Sequence, residues 1–239
     1  MPKFRDMLEY AAEIAPVIGA AHVNVHAAAA RAVAELSEAS DVTPGLLSDL
    51  RFVLPLRPLS RRDLAAVLRY GDPAEHAAAA GEHLREGTLT EDAGGLLLLT
   101  AKGAEFVRRL YELHETAAGQ VWPGADLPGL AALVGRVLDA AERLPGGALD
   151  VVAPPYEPDG AGPGLLLFNR LAVLRYHRAD AHAAAWTAAG LSASEIVGLA
   201  DGPLRSRIEA ETNRLAGQPY GVLNADERAA LYEGLLRLV

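Results

Sequence analysis

The sequence contains no cysteine, which removes a disulfide framework, a thiolate nucleophile and a cysteine-ligated zinc at once. Aromatic residues are scarce, 5% against 51% hydrophobic residues, so the core has to be built from Ala, Leu and Val. Ala and Leu are strong helix formers. They recur at spacings of three and four rather than in alternation, and a mostly α protein is expected. No stretch reaches the ~18 apolar residues of a membrane span. The opening MPKFRDMLEY carries no apolar run of signal-peptide length. A soluble, cytoplasmic protein with no membrane partner is the expectation. Positive charge is also in deficit, 22 Lys and Arg against 31 Asp and Glu, for a net charge of −9. That balance works against a polyanionic partner unless the cations cluster on one face. A P-loop, a G-x-G-x-x-G turn, a G-x-S-x-G elbow and a carboxylate-rich calcium loop are all missing, and Gly160 to Gly164 lacks the Lys-Ser/Thr that a phosphate cradle needs. No cofactor is implied.

What remains, in 239 residues, is enough for one large core or two small domains. Residues 1–40 read as an N-terminal helical segment for dimerisation or packing. Leu8, Ala11, Ala12, Ala15 and Ile18 form its first apolar stripe, and Pro16 is expected to kink or break it at Ala15. Thr43 followed by Pro44 has the pattern of a cap with proline at the first helical position. Ser60 with Asp63 reads as a capping box. Gly71 ends that helix, and Asp72-Pro73 opens the next, in which Ala77, Ala80 and Leu84 are expected to face inward. Short strands at 89–91 and 96–99 flank Asp92-Ala93-Gly94-Gly95, a hairpin turn signal, and Thr100 caps the following helix. Residues 121–164 give one helix and then a Pro/Gly-rich loop from 145, with a short extended piece expected at Leu149 to Val152. Residues 165–239 are read as a C-terminal helical region, with Ser192/Glu195 and Asn224/Glu227 as further helix openings.

Helix, turn, helix, hairpin, helix over residues 41–120 is the order of a winged helix-turn-helix domain. Leu84-Arg85-Glu86-Gly87 before the hairpin and Leu99-Thr100-Ala101-Lys102-Gly103 after it resemble the MarR-type winged-helix regulators, over about a third of the chain. The resemblance implies a homodimer whose interface is formed by helices outside the winged domain, here the N-terminal segment and residues 203 to 238. It also implies a small-molecule ligand held between those helices and the winged domain, and duplex DNA as a partner. The residues from His177 to Leu191 and from Arg207 to Asn213 look like an uncharacterised helical family from high-GC genomes, which supplies no activity.

The DNA-reading surface departs from the family pattern. Residues 73 to 87 read PAEHAAAAGEHLREG, with Glu75, Glu82 and Glu86 opposing Arg85 and with His76 and His83 as the remaining contacts. The hairpin tip carries Glu91 and Asp92, which repel phosphate. Arg61, Arg62 and Arg69 lie near the first helix of the motif. They fit either a grip on backbone phosphate or a solvated helix face. Two functions follow: a ligand-responsive transcriptional regulator, or a winged-helix scaffold that has lost DNA binding and binds or transforms a small molecule with its C-terminal helices.

Two further clusters carry chemistry. His22 and His26 are four apart on a helix, a spacing that suits two metal ligands as well as two packed histidines; Val23 stands where HExxH needs Glu. Arg175, His177, Arg178, Asp180 and His182, with Trp186 beyond them, form a polar cluster on one helix. His177 and Asp180, three apart, are the candidate acid–base pair, and Arg175 and Arg178 are candidates for an anionic ligand. An inter-helix salt-bridge network is the alternative, and the loop at 145–164 is a candidate lid.

Overall fold

Two long helices frame the protein. The computed structural model describes residues 4–239, so the first three residues of the expected N-terminal segment lie outside it. Helix α1 (Met7–Ser40) is capped by the Asp6 carboxylate on Glu9 N at 2.9 Å and runs unbroken through Pro16 to Asp41, whose φ of 50° ends it. The expected break at Ala15 does not occur. Tyr10, Ile14, Val17, Ile18, Ala21 and Val25 are buried on both sides of the proline, and that packing outweighs the ~3 kcal/mol cost of an interior proline. Helix α8 (Pro163–Ala188) is the second strut. Leu165, Phe168, Leu171 and Leu174 are buried on it, and so are Asn169, His177 and Asp180.

Between the struts lies a small unit of short elements. Helix α2 (Gly45–Leu50) leads into turns, then α3 (Arg61–Val67), α4 (Pro73–Glu86), strands β1 (Leu89–Glu91) and β2 (Leu97–Leu99), and the long α5 (Ala101–Val121). The strands pair antiparallel with Leu89 opposite Leu99, and Leu59 adds one bridge to Leu97. Asp92 folds the hairpin tip by accepting from Gly94 N and Leu96 N at 2.8 and 2.9 Å. On α4 the buried positions are Ala80 and His83, whereas Ala77 is exposed. The helix is rotated from the expected face because His83 is held inside by Thr88, 2.9 Å from its Nδ1.

The Leu-Thr-Ala-Lys-Gly run explains itself once folded. Thr100 Oγ1 accepts from Gly103 N at 3.1 Å and caps α5, while donating to Gly87 O at 2.7 Å. Lys102 Nζ donates to Asp41 O and Glu86 O, at 3.2 and 3.0 Å, satisfying the carbonyl ends of α1 and α4 together. Gly103 is required because a Cβ there would collide with the Thr88 carbonyl and the Leu99 side chain.

The remaining helices close the structure. These are α6 (Leu127–Ala140), α7 (Ala148–Val152), α9 (Ala193–Val197), α10 (Pro203–Gly217) and α11 (Ala225–Leu236), with a 3-10 turn at Gln218–Val222. Helix α6 packs on α8, and α10 and α11 pack on α1, so the N-terminal segment and residues 203–238 contact one another within the chain. The extended piece expected at 149–152 is instead the helix α7. Its N-terminus is capped from a distance: the Asp180 carboxylate on α8 accepts from Ala148 N and Leu149 N at 2.9 and 2.8 Å. One hydrophobic core runs through the whole, with a satellite of Ala185, Ile196 and Ile208 under Trp186. The described residues are mostly helical, and among them no helix is long and apolar enough to cross a membrane.

Candidate functional site

The apolar run Leu46 to Leu56 is interrupted by two charges, Asp49 and Arg51, and these deliver the site. Because α2 buries Leu46, Leu47 and Leu50, the chain leaving it carries Arg51 into the interior, where its exposure falls to 2%. The guanidinium carbon sits 4.0 Å from the Phe52 ring centroid and 5.0 Å from that of Phe168. Its Nη1 donates to Ser48 O, and its Nε and Nη2 have no partner. Burial pulls its pKa down, but a guanidinium stays protonated in a protein.

Arg51 forms part of the wall of a cavity of about 720 Å³ lined by α1, the α2–α3 unit, α8, α9 and α10. On the side of α1, Arg175 Nη1 lies 2.8 Å from His22 Nδ1. Arginine can only donate, so His22 Nδ1 accepts and its proton is on Nε2; that Nε2 is buried without a partner. His22 stacks on Phe168 with ring centroids 4.8 Å apart and an interplanar angle of 11°. His26 meets His22 edge-on at 4.6 Å and His114 of α5 at 4.9 Å. Burial holds all three imidazoles below their ordinary pKa, His26 at about 4, and the neighbouring Arg51 charge adds to this for each. They are therefore neutral near pH 7. Asp49, also on the wall, has its carboxyl pKa raised by desolvation.

The side of α10 holds a different network. Tyr70 Oη lies 2.9 Å from His182 Nδ1. Glu209 on α10 is 3.5 Å from Arg178 and 3.7 Å from His182. Val197 of α9 and Arg205 of α10 also line the cavity.

The residues singled out from the sequence divide accordingly. Arg175, Arg178 and His182 line the cavity, as do His22 and His26. His177 lies in a small pocket alongside, with Arg175, Arg178 and Tyr220, and its pKa is lowered by burial. Asp180 is occupied by Arg69 and by the α7 backbone, an arrangement that holds helices together. Trp186 packs on the satellite core, with its side chain in reach of Tyr70. His22, His26 and His114 gather round Phe168, yet among the described residues no group of three or more His, Asp or Glu side chains is placed to hold a metal ion.

Of the DNA-facing candidates, Arg61 pairs with Glu91 of the hairpin at 3.0 Å. Arg62 is exposed, with its guanidinium beside Gly146. Arg69 is tied to Asp180, the His76 ring packs over Gly71, His83 is buried, and Arg85 is exposed. The loop considered as a lid does not reach the cavity. Tyr156 N donates to Phe52 O at 2.6 Å, and Glu157 pairs with Arg170. The loop lines a second cavity of about 610 Å³ against Tyr111 and Glu115 of α5.

Arg51, Asp49, Tyr70, His114, Arg205 and Glu209 were not singled out from the sequence. Arg51 had a visible signal, an arginine within an otherwise apolar run. His114 had none, since only the packing of α5 on α1 brings it to His26. No family model matches the chain, and no curated protein or solved structure is significantly similar to it.

Proposed function

We propose that this chain is a small-molecule-binding protein built on a winged helix-turn-helix scaffold. The observation that carries the reading is the cavity of about 720 Å³ whose inner wall holds buried hydrogen-bond donors with no partner. Its size lies within the range of pockets that enclose drug-sized ligands, and its wall sets the rings of Phe52, Tyr70 and Tyr176 among four arginines, three histidines and two carboxylates. Buried polar groups are ordinarily satisfied, so donors left open in a cavity wall indicate a missing partner. Supporting the scaffold are the order α2, α3, α4, β1, β2, α5 and the single bridge from Leu59 to the hairpin.

The second reading is a ligand-responsive transcriptional regulator, acting as a homodimer on duplex DNA. Exposed Arg62 and Arg85 favour it. The engagement of Arg61 and Arg69 by Glu91 and Asp180 weakens it, as does the acidic α4. Fluorescence anisotropy against DNA flanking the gene and a scrambled duplex, at rising salt, separates the two. Sequence-selective binding with a steep salt slope establishes the regulator. Absence of binding at low salt, together with ligand-induced thermal stabilisation, leaves the small-molecule reading alone.

A further inference from the structure

We propose that the part of the cavity beside α1 is a binding site for the oxyanion of a small organic acid, a carboxylate or a phosphoryl group, held by Arg51, His22 and Arg175. The inference rests on the small-molecule reading and specifies the chemistry of that site.

Arg51 sets the requirement. Its Nη1 is used by Ser48 O, and the two nitrogens left open, Nε and Nη2, are the adjacent pair on one edge of the guanidinium. That edge matches the two oxygens of a carboxylate or phosphate. The guanidinium carbon lies over the rings of Phe52 and Phe168, at 4.0 and 5.0 Å from their centroids, and the Nε/Nη2 edge is the part without a hydrogen-bond partner. Among the described residues no carboxylate lies within ion-pair distance of buried Arg51, and Asp49 attracts it only at longer range. Buried charges are ordinarily paired, and arginine cannot escape by losing its proton. A histidine or lysine in this place would simply become neutral.

Two further observations point the same way. His22 presents its Nε2 proton with no acceptor, a tautomer fixed by Arg175 on Nδ1. The cavity wall as a whole carries Arg51, Arg175, Arg178 and Arg205 against Asp49 and Glu209. Arg178 pairs with Glu209 and Arg205 with Asp201, so among the described residues the cations of this wall left without an ion pair are Arg51 and Arg175. Asp49 is the carboxylate coupled to Arg51 and Arg175, and it supplies one negative charge against the two guanidiniums.

The test is isothermal titration of the full chain with three probes of similar bulk: 4-phenylbutanoate, its uncharged amide 4-phenylbutanamide, and phenyl phosphate. The phenyl group suits the rings of Phe52, Tyr70 and Tyr176 on the wall. The expected result is binding of at least one anion about tenfold or more tighter than the amide, equivalent to about 1.4 kcal/mol. Arg51→Met loses that preference and keeps the amide affinity. Arg175→Gln, at an exposed position, reduces anion affinity severalfold and keeps the proposal testable if the Arg51 variant does not fold. Preference for phenylbutanoate over phenyl phosphate identifies a carboxylic acid, and the reverse identifies a phosphoryl compound. Equal binding of amide and anions overturns the oxyanion site but leaves the small-molecule reading standing. No binding of any probe overturns both.

Discussion

Two buried charges, Asp180 on α8 and Arg51 beyond α2, have opposite surroundings. Asp180 accepts from Arg69, Ala148 N and Leu149 N, so its charge is answered by a guanidinium and by a helix N-terminus. Arg51 has one backbone carbonyl and two aromatic rings, and two of its three guanidinium nitrogens are idle. The first charge joins α3, α7 and α8 and belongs to the architecture. The second is incomplete within the chain. Sequence reasoning paired Asp180 with His177 for chemistry, and the comparison shows why connectivity has to be inspected before a polar cluster is given a role.

The largest expected effect breaks the complete site. Asp180→Ala strands Arg69 and removes the α7 cap, and is expected to cost about 3–5 kcal/mol in urea denaturation, the range for breaking a buried pair. Arg51→Met removes a charge with no carboxylate partner, and stability within about 1 kcal/mol of wild type, or above it, is expected. If Arg51→Met proves as damaging as Asp180→Ala, Arg51 has partners in the folded chain and the contrast fails.

Next comes Gly103→Ala, which probes the hairpin unit rather than either charge. Its Cβ meets the Thr88 carbonyl, a backbone atom that cannot turn aside. Overpacking of this kind costs about 1–3 kcal/mol, readable as a lowered denaturation midpoint.

The imidazoles behind Arg51 sharpen the comparison through pH. His26 faces Arg51 from α2, Arg175 and Phe168 from α8, His114 from α5, and His22 on its own helix. Its folded pKa of about 4 lies below the unfolded value of ~6.5. The unfolded chain therefore takes up the proton first. The stability contributed by neutral His26 is complete above pH ~6.5 and is lost as pH falls toward its folded pKa, with a limiting slope of roughly 1.4 kcal/mol per pH unit. His26→Leu is expected to flatten the stability profile between pH 6.5 and 4.5 by up to that slope. An unchanged profile would mean that His26 is protonated in the folded protein.

The smallest effect belongs to the surface. Arg61 and Glu91 are partly exposed, and Glu91→Gln should change stability by only about 0.2–1 kcal/mol. Its informative readout is DNA. Freeing Arg61 and removing a carboxylate from the hairpin should raise nonspecific duplex affinity in a low-salt anisotropy titration if that face approaches DNA, and leave it unchanged if it does not.

How much was legible in advance follows from where each determinant sits. The openings of α3, α9 and α11 are set by residues three apart, Ser60/Asp63, Ser192/Glu195 and Asn224/Glu227, and all three capping boxes form as read. The hairpin likewise follows from Asp92 and its glycines. Residues 149–152 read as extended in sequence because the cap of α7 comes from another helix, and Pro16 reads as a breaker because burial on both sides of it is a tertiary fact. In the site, Arg175, Arg178, His182, His22 and His26 were singled out in two separate groups. What joined them was the placement of α1 against α8, together with Arg51, whose significance is its burial rather than its spacing.

Lys102 has a consequence for how the halves of the molecule respond to each other. One ammonium is the shared end-piece of α1, which carries His22 and His26, and of α4, which precedes the hairpin. The two helices are thus yoked at their tails by this side chain and by Thr43, whose N and Oγ1 donate to the Glu86 carboxylate at 3.0 and 2.7 Å. A displacement of α1 by an occupant of the cavity must either pull α4 along or give up some of these bonds.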